Sequence, residues 1–70
     1  MTWNYRVIRH VGPNNKVCYR IHEVYYEGER VVTIAEEASA PSGGSVEELN
    51  DDFYRMRAAF DKPVLDYSEL

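Results

Sequence analysis

Cysteine is nearly absent from this 70-residue chain, which also has few glycines (four) and prolines (three). The single thiol, Cys18, excludes an internal disulfide, so a small core must hold the fold alone or be extended by self-association. No apolar run approaches the ~20 residues of a membrane span. The opening MTWNYRVIRH lacks the apolar stretch of a signal peptide. These absences predict a cytoplasmic protein of bacterial type. The length excludes a dinucleotide-binding fold, a barrel enzyme or a two-domain clamp and predicts one domain over residues 1–70. Acidic residues are missing from the first 22 positions, which hold Arg6, Arg9, Lys16 and Arg20. All 12 acids fall in residues 23–70, against Arg30, Arg55, Arg57 and Lys62, so the net charge of −4 is +4 on the first segment and −8 on the second. A chain held to nucleic acid by phosphate contacts should be basic overall, and this one is not.

What is present is aromatic and patterned. Hydrophobic residues at 44% and aromatics at 13% exclude a disordered tail. Trp3–Val11 and Val17–Tyr26 are rich in aromatic and β-branched residues at alternate positions, the pattern of strands, and Arg30–Glu37 reads as a third. Gly12-Pro13-Asn14-Asn15 and Glu27-Gly28-Glu29 mark the turns between them. Ser45 with Glu48 forms an S-x-x-E capping box. Val46, Leu49, Phe53, Met56 and Phe60 then recur at helical spacing, and Asp61-Lys62-Pro63 stops the helix. Val64–Tyr67 is left as a short fourth strand or a docked tail. The predicted fold is α+β: a three-stranded antiparallel meander with one C-terminal helix on one face, in the order βββα.

A hairpin turning about Pro13–Asn15 sets Val11 opposite Val17, Val7 opposite Ile21 and Trp3 opposite Tyr25. The helix is expected to cover that side. The predicted core is Trp3, Tyr5, Val7, Ile21, Tyr25, Ile34, Leu49, Phe53, Met56 and Phe60. Alternation leaves Arg6, Ile8, His10, Arg20, His22, Val24 and Tyr26 on the other side, which a single helix cannot cover. Arginine and tyrosine among aliphatic residues is the composition of interface cores, so these seven form the expected partner-binding surface. The same surface, or an unpaired strand edge, is the expected contact of a homodimer.

Catalytic and metal chemistry fit poorly. His10, Cys18 and His22 are the right inventory for zinc, but His22 lies four residues along the strand from Cys18, roughly 13 Å away. No metal, cofactor or catalytic residue is therefore assigned. Cys18 reads as a small apolar filler. Two alternative functions stay open. One is nucleic-acid binding through Arg6, Arg9, Lys16 and Arg20. The other is a metal-free hydrolase using His10 and His22 as acid and base, with Arg6 and Arg20 holding phosphate.

The segments WNYRVIRH, IHEVYY and KPVLD, with the helix start Ser45-Val46-Glu47-Glu48-Leu49, resemble a group of small bacterial and phage-borne proteins. More distantly, three strands leading through Gly44 to an S-x-E-E helix cap resemble the HicB-like antitoxin domain, a partial ribonuclease-H-like βββα unit. That family's proline loop is loosely matched by Ala40-Pro41-Ser42-Gly43. The resemblance implies a non-enzymatic, antitoxin-like inhibitor that occupies a protein partner's surface.

Overall fold

A computed structural model describes residues Met1–Leu70. Strands β1 (Thr2–Val11) and β2 (Val17–Glu27) pair antiparallel, with Val11 opposite Val17, Val7 opposite Ile21 and Trp3 opposite Tyr25, as the alternation predicts. Their connection places Asn14 and Asn15 in the left-handed region at φ 62° and 60°, which asparagine tolerates better than most residues. Strand β3 (Arg30–Ile34) returns along β2 after a two-residue turn at Gly28-Glu29. Gly28 takes φ +61°, the conformation such a turn needs at its first central position. A side chain there would meet no atom within 4 Å, so only backbone strain opposes it. Gly28→Ala is expected to cost about 1–2 kcal/mol, read as a lower thermal midpoint. An unchanged midpoint would mean that the turn relaxes into another type.

Helix α1 (Val46–Arg57) starts where the cap pattern places it. The Ser45 hydroxyl accepts the Glu48 N–H at 3.1 Å. The Glu48 carboxylate returns to the Gly44 N–H at 2.9 Å, one residue before the usual capping-box donor. Gly43 is needed by close approach, since a Cβ there would lie 2.5 Å from the Leu49 nitrogen. Glu47 and Glu48 occupy the first turn and Arg55 and Arg57 the last, each favoured by the helix dipole. Beyond Arg57 the backbone tightens into a 3-10 turn, Ala58–Asp61, so helical structure ends at the expected residue in a narrower form. Strand β4 (Leu65–Asp66) then runs parallel to β1, opposite Ile8 and Arg9.

The fold is α+β, a curled four-stranded mixed sheet in the order β3-β2-β1-β4 with one helix. The expected antiparallel meander is thus extended by a parallel edge strand. No helix is long and apolar enough to cross a membrane. Tyr5, Val7, Met56 and Ala59 make the core between α1 and the sheet, with Ile21 packed against it. The deepest burial lies on the other side of the sheet, where Ile8 and Val24 are 0% exposed and His22 1%. That side was expected to be open. The sheet curls instead, so that β3 and the residues after β4 approach each other over it, and Val31, Ile34, Tyr67 and Leu70 line one cleft. Four expected core residues, Trp3, Leu49, Phe53 and Phe60, are exposed.

Candidate functional site

Of the seven residues expected to bind a partner, Arg20 alone is exposed. Ile8, His22 and Val24 are sealed, and Arg6, His10 and Tyr26 are half-buried. Arg6 donates to the Tyr26 hydroxyl at 3.1 Å and to the Pro63 carbonyl at 2.6 Å, while Tyr26 donates to Asn4 Oδ1 at 2.8 Å. The Arg6 Nε is buried without a partner. The bond to Pro63 ties the chain after α1 to this face, and with Ile8, His22 and Val24 sealed little of the face is left open.

His10 and His22 meet across the hairpin diagonal, Nε2 to Nε2 at 3.0 Å, although His10 is in register with Cys18. Strand spacing alone predicts His22 to be remote; the coiling of the sheet and the length of two imidazoles close the gap. His22 Nδ1 lies 2.9 Å from the Ala35 carbonyl, which can only accept, so Nδ1 carries a proton. With both rings neutral, His22 Nε2 accepts from His10 Nε2–H. Tyr67 stacks on His10 with ring centroids 4.9 Å apart. The two nitrogens face each other, and no group of three His, Cys, Asp or Glu side chains is arranged to hold a metal. A hydrolase using both histidines needs each within reach of substrate, and His22 is not.

His10 carries a pH dependence. Burial, then the neighbouring charges of His22 and Arg20, lower the His10 pKa below its ordinary 6.5. The unfolded chain therefore takes up a proton there at higher pH than the folded chain. Stability from this site is present above 6.5 and is lost as pH falls through the lowered folded value. Urea midpoints taken between pH 7.5 and 5 should fall, and His10→Gln should flatten that decline. An identical decline in the variant would assign it to other groups.

The basic hairpin is partly occupied. Arg9 pairs with Asp66 at 3.0 Å, and Arg9 alternates to the opposite sheet face from Arg6 and Arg20. The Asp66 carboxyl is held below its ordinary 3.8 by hydrogen bonds from Ser68, then by Arg9. Lys16 and Arg20 remain exposed. The four cations do not converge on one surface.

A different surface is exposed by the way α1 docks. Asp52, though charged, is buried: it accepts the Tyr5 hydroxyl at 2.7 Å and the Ser42 N–H at 3.0 Å. Arg55 stands 3.8 Å from Oδ1, the oxygen that accepts the Tyr5 hydroxyl. Burial, then this hydrogen bond, pushes the Tyr5 pKa up to about 12. The same hydrogen bond, followed by the Ser42 N–H, holds Asp52 below its ordinary 3.8. The pin fixes the roll of the helix. Asp52, Met56 and Ala59 face the sheet, so the apolar stripe meets it by one edge rather than by its centre. Val46 is 78% exposed, Leu49 41%, Phe53 52% and Phe60 62%. Pro41 joins Val46, Leu49 and Phe53 around a shallow apolar hollow. Compared with protein-family models, curated proteins and solved structures, the chain matches none.

Proposed function

We propose that this chain is a non-enzymatic protein-binding module, an antitoxin-like inhibitor that acts in the cytoplasm by covering a partner's surface. The observation that carries the reading is the exposed row Val46, Leu49 and Phe53 along one side of α1, continued by Phe60 in the 3-10 turn that follows. Contiguous exposed apolar side chains on a small chain favour association, because covering them removes area from water at about 25 cal/mol per Å². The docking surface is therefore moved from the sheet to the helix. The sequence resemblance to the HicB-like antitoxin domain points to the same class of role. The experiment is affinity capture from host extract with three baits: the parent chain, the Leu49→Asp/Phe53→Asp variant, and the Lys16→Glu/Arg20→Glu variant. A polypeptide held by the parent and the basic-residue variant, and lost from the helix variant, supports the reading. Capture of nucleic acid that depends on Lys16 and Arg20 and falls steeply with salt overturns it in favour of polyanion binding.

A further inference from the structure

The exposed surface of α1 carries its charge in two halves. The acids Glu47, Glu48 and Asp51 lie at its N-terminal end, and Arg55 and Arg57 at its C-terminal end. The apolar residues Val46, Leu49 and Phe53 run between these ends, and Phe60 continues the row past Arg57. Arg57 stands over the Phe60 ring, 5.4 Å from its centroid, so a cation borders the apolar row.

We propose that the occupant of this face is a second copy of the chain, with the two α1 helices packed antiparallel about a two-fold axis near the middle of the helix. The inference rests on the reading of α1 as the docking surface and names its partner. In an antiparallel pair the acidic end of each helix lies against the basic end of the other, and the opposed helix dipoles add to the attraction. A parallel pair sets acid against acid and base against base. The row is also self-complementary, since a two-fold axis brings the Leu49 and Phe53 region of one helix onto the same region of its partner. The spacing Val46, Leu49, Phe53 follows the alternation of three and four that lets facing helices interdigitate. The fold has reason to use it. Just 8 of 70 residues are buried, six of them hydrophobic, which is little for a chain without disulfide or metal. Glu47 of one copy then stands near the partner's Arg57.

Sedimentation equilibrium over a hundredfold concentration range tests this with the full chain. The parent should shift from 8.2 kDa towards twice that mass. Leu49→Asp/Phe53→Asp, at positions exposed in the monomer, should keep its circular dichroism and weaken the dimer by roughly tenfold or more. Glu47→Lys and Arg57→Glu should each weaken self-association, since each leaves one sign unbalanced, and an equimolar mixture of the two should associate more tightly than either alone. A dimer insensitive to the apolar pair, or charge variants whose mixture gains nothing, overturns the antiparallel helix pairing. A monomeric parent that captures a different polypeptide through Leu49 and Phe53 overturns the second copy but leaves the protein-binding reading intact. A monomer that captures nothing through this face overturns both.

Discussion

Ile8→Ala is expected to remove about 2–5 kcal/mol, the range for truncating a fully buried aliphatic side chain. Chains of this size have roughly 4–10 kcal/mol in total, at about 0.05–0.15 kcal/mol per residue, so the variant should be close to unfolding. Ile8 is 0% exposed on a strand flanked by β2 and β4, and its neighbourhood on that face includes the equally sealed Val24 and His22. Ile8→Asp should cost more still, because it puts a carboxylate where the native side chain is fully buried. Phe53→Ala supplies the contrast. The ring is 52% exposed, and in dilute protein its removal should cost about 1 kcal/mol or less. Urea titrations followed through Trp3, which packs edge-on against Tyr5 at 5.2 Å, measure both variants. If Phe53→Ala proved the costlier change, the helix would be rolled towards the sheet and the Ile8 face would be open.

Asp52→Ala should lower the melting point further than Tyr5→Phe does. The alanine leaves a Tyr5 hydroxyl buried without an acceptor and releases the Ser42 N–H that anchors the loop before α1. Tyr5→Phe leaves Asp52 its Ser42 partner and should cost about 1.5–3 kcal/mol, the range for a hydrogen bond to a charged group. In the double variant the two losses should be less than additive, since either change alone already breaks the shared bond. Acid and alkali should both reveal the pin. Asp52 has a lowered pKa, so its contribution is present above 3.8 and is lost as pH falls through the lowered folded value. Tyr5 has a raised one, so its contribution is present below 10 and is lost as pH rises through about 12. Absorbance titration should show one tyrosine ionising last, absent in Tyr5→Phe. Additive losses in the double variant would mean that the two side chains act separately.

The hairpin register, the Gly28 turn, the Ser45 cap and the end of helical structure at Asp61 were legible because each depends on residues close in sequence. The roll of α1 was not. Periodicity finds an apolar stripe but not the partner it faces, and a charged Asp52 gives no sign of belonging inside until the Tyr5 hydroxyl is seen 47 residues away. The burial of Ile8, His22 and Val24 escapes a local reading for a related reason. With one helix in hand, alternation leaves one side of the sheet bare, and nothing local shows that β3 and the residues beyond β4 bend over it. Alternation did place those residues together on one side. The signal available was composition: two aliphatic residues and a histidine sharing a face are as consistent with an interior as with an interface. The meeting of His10 and His22 depends on coiling, which strand spacing measured along one axis omits.

The parallel pairing of β4 with β1 also sets the order in which the molecule can be completed. Arg9 and Asp66, joined across this seam, are 57 residues apart in the chain. During synthesis β1 and β2 can zip together early, yet the outer edge of β1 stays bare until residue 66 has been made. A newborn chain therefore passes through a stage in which a ten-residue strand shows unpaired N–H and C=O groups to its neighbours on the polysome. β4 closes that edge only at Ile8 and Arg9, so most of it stays without a backbone partner in the finished chain as well, and mispairing is a hazard at both stages.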